Sequence, residues 1–194
     1  MQFKKIIMDE EIKKCVTLLK EGKVILYPTD TVWGIGCDAT CEDAISRIYK
    51  IKQRNEKKSM IILLDSAQRL PMYVKRIPLI AWDLLSHVSR PTTFIYKSAY
   101  NLPQKLIHED GTIAIRIVQN DFCKKLIREL GRPIISTSAN IAGQPTPPTF
   151  DKINPQVINE MDYIVSQECS SSMEFKPSRL IKFLDDYNFT IIRS

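Results

Sequence analysis

The stretch "VILYPTDTVWGIGCDA" combines polar side chains with glycines directly after an apolar run. Thr29, Asp30 and Thr31 follow the proline that ends the run, and Gly34 and Gly36 come next. Hydroxyl and carboxylate groups can bind a polar ligand, and glycine lets the backbone pass close to a ligand or a neighbouring strand. The glycines do not make a dinucleotide-binding loop, because no third glycine follows at the required spacing and no helix is predicted to start there.

Basic residues crowd the end of the second predicted helix and the segment after it, at Lys50, Lys52, Arg54, Lys57 and Lys58. One interpretation is that these cations complement the helix C-terminus and stay solvated. The other is that Lys52 and Arg54, which flank Gln53 before a predicted buried strand, are held firmly enough to bind a polyphosphate. The residues themselves leave both interpretations open.

An arginine interrupts the apolar strand "TIAIRIV". Because side chains alternate along a strand, the isoleucines face one side of the sheet, and Thr112 and Arg116 face the other. If that side is covered, Arg116 needs an anionic partner. The partner is predicted to be either an acidic residue on a neighbouring strand or the carboxylate of a ligand.

Short polar side chains follow the apolar strand in "PIISTSANIAG", where they are Ser136, Thr137, Ser138 and Asn140. Ser178 lies similarly at the edge of the extended run in "FKPSRLIKF". Such residues often only stabilise a turn. Ligand sites in α/β sheets favour strand ends, so the same residues are also well placed to line a cleft.

Charge and hydropathy limit the classes of function. Lysine and arginine number 28 against 22 acidic residues, which gives a net charge of +6 and favours anionic partners such as nucleotides or RNA. No apolar segment approaches the roughly 20 residues of a membrane span, and the N-terminus has acids where a signal peptide would be apolar, so a cytoplasmic protein without membrane contact is expected. Cys37 and Cys41 have no histidine at a ligand-like spacing, which favours reduced thiols over a metal site.

Hydrophobic periodicity predicts alternating helices and strands without a repeat or a linker. Asp9 is predicted to cap a first helix that stops at Gly22, and Thr40 with Asp43 has the spacing of a capping box for a second helix. The other predicted elements are strands "KVILYP", "MIILL", "TTFIY", "TIAIRIV" and "PIIS", helices near 78–88 and 121–130, and a C-terminal hairpin of "SRLIKFL" and "FTIIR". The predicted fold is α/β, with a mixed sheet in a single domain over residues 1–194.

Taken in order, several motifs resemble those of the YrdC-like family: "YPTDTVWGIGCDA", "KIKQR", "GTIAIRI", "STSANIAG", "KPSRLIKF" and "TIIRS". The resemblance runs from about residue 22 to the end and is closest to the compact form of the family. It implies a twisted, open, mixed α/β sheet with flanking helices around a basic cleft. It also implies the family's best-known activity, in which L-threonine, bicarbonate and ATP give threonylcarbamoyl-AMP and pyrophosphate, with magnesium.

That product would supply the threonylcarbamoyladenosine modification of tRNA through a downstream tRNA threonylcarbamoyl transferase machinery. By position, the resemblance implies that threonine is contacted by Thr31, Arg116, Ser136 and Ser178. It places on or beside the ATP site Lys52, Arg54, Lys58, Thr112, Ser138, Asn140, Thr146 and Arg193. Lys52 and Arg54 would hold the phosphates, Arg116 the threonine carboxylate, and Mg²⁺ would come with the nucleotide rather than bind a dedicated protein site.

The sequence departs from the family pattern at several positions. A histidine that contacts threonine in some relatives corresponds to Leu63, and Arg179 follows Ser178 where threonine is common. Ser59 replaces a usual proline, and Ala142 a usual serine. These differences bear on selectivity for the threonine side chain more than on the class of reaction.

Two other functions compete with synthesis of the adenylate. Relatives of the YciO kind share the fold and are suited to binding tRNA or double-stranded RNA, which would make this chain a binding module without synthase activity. The triplet Lys52-Gln53-Arg54 favours the enzyme, because those relatives tend to lose it. A sugar-phosphate lyase of similar fold would want an acidic metal cluster near the glycines, where only Asp30 and Asp38 are present.

Overall fold

The computed structural model describes residues 2–54, 60–170 and 176–194. The helices are α1 (Gln2–Lys20), α2 (Glu42–Ile51), α3 (Leu79–Ser86), α4 (Asp121–Leu130) and α5 (Pro155–Asn159). The strands are β1 (Ile25–Tyr27), β2 (Gly34–Gly36), β3 (Ile61–Leu64), β4 (Thr92–Tyr96), β5 (Ile113–Ile117), β6 (Ile134–Ser138), β7 (Tyr163–Ile164), β8 (Arg179–Phe183) and β9 (Phe189–Arg193). The predicted helices and strands are therefore present, and β2, β7 and α5 are additions to them.

Within the described residues the strands form one nine-stranded sheet in the order β7-β1-β2-β6-β3-β5-β4-β8-β9. The pairs β1–β7, β3–β5 and β4–β8 are parallel, and the other neighbours are antiparallel. The predictions of a mixed sheet and of a C-terminal hairpin are thus confirmed. None of the described helices has both the length and the apolar character that a membrane span needs.

The two faces of the sheet are covered to different extents. One face packs Ile62, Phe94 and Ile115 into the larger core, together with the apolar stripe of α2. The other face carries Leu63, which lies in register beside Arg116 and packs into a second core built by α1 and α4. Partly exposed strand residues continue this second face, and they are Ile61, Ile95, Ala114 and Leu180. The second face therefore has an open part next to the α1 and α4 layer.

Both predicted helix caps are wrong. Asp9 lies inside α1, and its carboxylate accepts a hydrogen bond from Lys125 Nζ at 2.5 Å. Thr40 does not cap α2, whose N-cap is Cys41 and makes no side-chain capping bond. The Thr40 hydroxyl instead donates to the carboxylate of Asp38 at 2.7 Å. A charged acceptor two residues away competes successfully with the helix terminus for this hydroxyl.

Gly36 confirms that the glycines of the first motif allow a close approach. A Cβ atom at this position would lie 2.3 Å from the carbonyl oxygen of Ile135 and 2.6 Å from a ring carbon of Tyr27. The Tyr27 hydroxyl donates to that same carbonyl at 3.0 Å. Any side chain at Gly36 would therefore push β1 and β6 away from β2.

Candidate functional site

A cavity of about 290 Å³ opens on the uncovered part of the second sheet face. Its floor is made by alternate residues of the central and C-terminal strands, which are Gly34, Ile61, Ile95, Ala114, Ser136 and Leu180. Its walls come from the segment after β1, the segment after α2, and the end of β9. This volume is close to the lower limit for small-molecule sites, roughly 300 Å³.

The cavity collects most of the residues predicted for a binding site. Of that set it is lined by Thr31, Arg54, Arg116, Ser136, Ser138, Thr146, Ser178 and Arg193. Lys52, Thr112 and Asn140 are not among its lining residues. Lys58 lies outside the described residues. Residues from six motifs that are far apart in sequence thus meet at one place.

Arg116 is the most deeply buried cation of the cavity wall, with 3% of its surface exposed. Its Nη2 lies 3.1 Å from Oδ1 of Asp30, and its Nη1 donates to Oγ1 of Thr31 at 3.2 Å. The predicted acidic partner therefore exists, but it comes from the segment after β1 rather than from a neighbouring strand. Among the described residues, Nε of Arg116 has no hydrogen-bond partner. The guanidinium is anchored and still has unused hydrogen-bonding capacity.

The neighbours of the Thr31 hydroxyl determine which hydrogen bond it donates and which it accepts. Thr29 Oγ1 must donate to the carbonyl of Val32, at 2.7 Å, because a carbonyl only accepts. The Thr31 hydroxyl, 3.0 Å from Thr29 Oγ1, therefore donates to it and at the same time accepts from Arg116. One lone pair of Thr31 remains for the cavity. A ligand atom that binds Thr31 must therefore be a hydrogen-bond donor, such as an amine or a hydroxyl.

The C-terminal strand β9 contributes a second arginine, Arg193, which is held by the backbone of Ser178. Arg193 donates from Nε and Nη2 to the Ser178 carbonyl, at 3.0 and 2.8 Å. The Ser178 hydroxyl lies 2.7 Å from that of Thr93, which is fully buried. Burial, and then the nearby charge of Arg116, lower the pKa of Arg193. Two guanidinium groups that repel each other make this end of the cavity favourable for an anion.

The side chains of Lys52 and Arg54 lie in different environments, although a single residue separates them. Arg54 lines the cavity, and burial lowers its pKa. Lys52 is 2% exposed, and its Nζ donates to the carbonyls of Ser138 and Asn140 at 2.5 and 2.7 Å. Burial, with a smaller effect of the Arg54 charge, lowers the pKa of Lys52 to about 7. The structure does not bring the predicted phosphate-binding ammonium of Lys52 to the cavity.

The side chains of Asn140 and Thr112 both form hydrogen bonds to residues close to them in sequence. The Asn140 amide donates to the carbonyls of Ile141 and Gln144 at 2.9 and 2.7 Å, and its oxygen accepts from the Ser138 hydroxyl. The Thr112 hydroxyl donates to the carboxylate of Asp110 at 2.6 Å. Thr112 and Asn140 thus stabilise turns in this structure, and their proposed contacts to a nucleotide stay predictions.

Leu63, which replaces the family's histidine, is fully buried in the core beside Arg116 and does not line the cavity. No sequence pattern predicted the apolar part of the lining, which consists of Val32, Met60, Ile61, Ile95, Pro177 and Leu180. Strand alternation could have placed Ile61 and Ile95 on the face of Arg116, but not shown that this face is open. Among the described residues, no carboxylate lines the cavity and no cluster of histidine, cysteine and acidic side chains could hold a metal.

Comparisons with known proteins identify the family of the chain. The family model described as "Telomere recombination", for Sua5, YciO and YrdC proteins, matches residues 17–194. The threonylcarbamoyl-AMP synthase of Pseudoalteromonas translucida is 35% identical over 159 residues, which are 80% of this chain and 85% of that protein. The enzyme of that name from Vibrio cholerae is 32% identical over 83% of this chain and 87% of its own length.

A solved structure of P. abyssi Sua5 complexed with L-threonine has a TM-score of 0.84 and 27% identity. It aligns with 94% of this chain, which spans about half of that longer protein, 53%. E. coli YciO has a TM-score of 0.80 and 25% identity, with 98% of this chain and 89% of that one aligned. The family model and the curated relatives establish that the chain belongs to the Sua5/YciO/YrdC family.

Proposed function

We propose that the protein is a threonylcarbamoyl-AMP synthase, which converts L-threonine, bicarbonate and ATP to threonylcarbamoyl-AMP and pyrophosphate. The observation that carries this proposal is that one cavity contains an anchored arginine, Arg116, beside the acceptor Thr31, together with Arg54 and Arg193. These groups suit a ligand with a carboxylate, an adjacent donor and phosphates. The names of the curated relatives support the same activity.

At the amino-acid end, Arg116 would bind the carboxylate of threonine through its unused guanidinium N–H. Thr31 would accept a hydrogen bond from the amine or the side-chain hydroxyl of threonine, because its own hydrogen is given to Thr29. Ser136 and Ser178 line the same cavity and would complete the pocket. This arrangement recognises an amino acid by its charges and its hydrogen-bond polarity.

For the nucleotide, Arg54 and Arg193 would bind phosphates, with Arg193 next to the amino-acid end through its bonds to Ser178, and Ser138 and Thr146 would also contact the nucleotide. The described lining offers no carboxylate, so Mg²⁺ would enter with the triphosphate of ATP rather than on the protein's own side chains. Lys58 and Thr112 remain nucleotide contacts predicted from the resemblance to the family.

The reaction requires the protein mainly to position the reactants. The threonine amine attacks the carbon of bicarbonate, and water leaves to give a carbamate. A carbamate oxygen then attacks the α-phosphorus of ATP in line, the bond from that phosphorus to the β-phosphate oxygen breaks, and pyrophosphate leaves. Neither step needs a protein nucleophile, so the arginines would act by holding two anions together and offsetting their repulsion.

The adenylate would pass to a downstream tRNA threonylcarbamoyl transferase machinery in the cytoplasm. Direct contact of this chain with tRNA is a separate proposal, for which the net charge of +6 is the support.

Pyrophosphate release tests the proposal directly. The purified protein is incubated with ATP, magnesium and bicarbonate, with and without L-threonine. We expect pyrophosphate release that depends on threonine, and a threonylcarbamoyl-AMP product by mass spectrometry. Release that does not depend on threonine, or no release, would contradict the synthase.

That negative result would favour the second candidate, an RNA-binding module of the YciO kind. The likeness to YciO, over almost the whole of both chains, is the observation that keeps this candidate. It predicts binding of double-stranded RNA at physiological salt without nucleotide turnover.

A further inference from the structure

We propose that Lys52 is a positioning residue, whose side chain holds the segment 138–142 in place for nucleotide binding and does not itself contact phosphate. The inference rests on the proposed function, because it assigns a role within the same ATP site. It separates Lys52 from Arg54, which the sequence motif presents as a pair.

The contacts of the ammonium are the first reason. Lysine is almost never fully buried unless it is paired, yet Lys52 is 2% exposed. Its partners are the carbonyls of Ser138 and Asn140, at 2.5 and 2.7 Å, which lie at the end of β6 and just beyond it. The ammonium therefore faces the backbone of this segment, and Lys52 does not line the cavity, whereas Arg54 does.

The backbone of Lys52 holds the same segment a second time. The N–H of Ala142 donates to the Lys52 carbonyl at 2.8 Å. Asn140 closes the segment on itself through bonds to Ile141 and Gln144. Residues 138–142 are thus fastened to the end of α2, and the cavity-lining Ser138 begins this fastened segment.

The end of α2 explains why neighbouring cations diverge. Gln53 has φ of +48°, a left-handed conformation that is uncommon for a residue other than glycine. Its N–H donates to Lys50, and that of Arg54 donates to Tyr49, which is the pattern of a Schellman motif. The chain reverses at Gln53, so Lys52 stays under the segment 138–142 while Arg54 reaches the cavity.

The hydrogen-bond count also favours positioning over charge. An ammonium has three N–H donors and a neutral amine has two. The carbonyls of Ser138 and Asn140 need only those two, so the tie persists when Lys52 loses its proton. Burial brings the pKa of Lys52 to about 7, where the side chain is charged only part of the time. A group whose main task was to neutralise phosphate would need its charge.

Binding of AMP, ADP and ATP by calorimetry separates the two roles. In Lys52→Met we expect all three nucleotides to bind about tenfold more weakly, because one misplaced segment affects each equally. The matched variant Arg54→Met replaces a cation two residues away with the same side chain, and its loss should grow from AMP to ATP. L-Threonine should bind Lys52→Met within about twofold of wild type, because Thr31, Arg116 and Ser178 lie on other elements and Ser136 lies inside β6, before the fastened segment.

A second variant keeps the test valid where Lys52→Met does not fold. Lys52→Gln removes the charge but keeps an amide with two N–H donors. We expect any weakening in Lys52→Gln to be the same for AMP, ADP and ATP. Where Lys52→Met folds, we expect it to bind every nucleotide more weakly than Lys52→Gln and to show faster amide exchange in 138–142. A loss that grows with each phosphate in either variant, or equal defects in two folded variants, would overturn the positioning role. If the wild-type protein binds no adenine nucleotide, the proposed function fails and the inference fails with it.

Discussion

Arg116 and Lys52 are both buried cations beside one cavity, and their partners differ. Arg116 faces the carboxylate of Asp30, 3.1 Å away, and lines the cavity. Lys52 faces the neutral carbonyls of Ser138 and Asn140 and lies behind the wall. Carbonyls offset only part of the cost of burying a charge, which is why the pKa of Lys52 falls to about 7.

The comparison shows that burial alone does not identify a ligand-binding cation. Arg116 is buried beside a carboxylate, whose opposite charge offsets the cost of taking the guanidinium out of water. Its anchors, Asp30 and Thr31, leave part of the guanidinium unused. Lys52 donates its hydrogen bonds to backbone carbonyls. The identity of the partner and the donors that remain free decide which cation is available to a ligand.

The largest effect is expected for Arg116→Ala. Loss of a buried charged contact to the threonine carboxylate should lower threonine-dependent pyrophosphate release by at least about 100-fold. The free energy of unfolding should also fall, by about 3–5 kcal/mol, because Asp30 would be buried without its cation. Steady-state kinetics and urea unfolding measure the two losses separately.

The double variant Arg116→Ala with Asp30→Asn tests whether Arg116 is a ligand-binding cation, unlike Lys52. Removing the unpaired carboxylate should restore part of the lost stability without restoring turnover. If turnover returned together with stability, Arg116 would be a structural cation, and the comparison would fail.

Thr31→Val is expected to have a smaller effect. It removes the acceptor that faces the cavity and one anchor of Arg116, so kcat/KM for threonine should fall about tenfold. Thr31→Ser keeps the hydroxyl and should stay close to wild type. A defect in ATP binding rather than in threonine binding would show that the two ends of the cavity are assigned the wrong way round.

Much of the fold followed from the sequence because it depends on local patterns. Alternation in β5 placed Arg116 opposite its isoleucines and predicted that it needs an anion. The identity of that anion could not be predicted, because Asp30 reaches Arg116 from a segment 86 residues earlier in the chain. The cap at Asp9 failed because α1 begins earlier, at Gln2, and the cap at Thr40 failed because the carboxylate of Asp38 takes its hydroxyl.

The candidate site was less predictable than the fold. The motif Lys52-Gln53-Arg54 suggested a pair of phosphate-binding cations. The left-handed turn at Gln53 separates the two side chains. Only a glycine would have indicated such a turn in the sequence, and this position is a glutamine. The apolar wall could not be predicted either, because Ile61 and Ile95 look like ordinary core residues until the extent of the α1 and α4 layer is known.

The smallest predicted effect is a difference in how stability depends on pH. Burial lowers the pKa of Lys52 from 10.5 to about 7 in the folded protein. Between these values the unfolded chain binds more protons than the folded one, so the free energy of unfolding rises with pH. From pH 7 to pH 8, this group should add about 1 kcal/mol to wild-type stability, and Lys52→Met should lack that increase. Urea unfolding of both proteins at the two pH values measures the difference. Parallel changes would mean that Lys52 keeps its charge when buried.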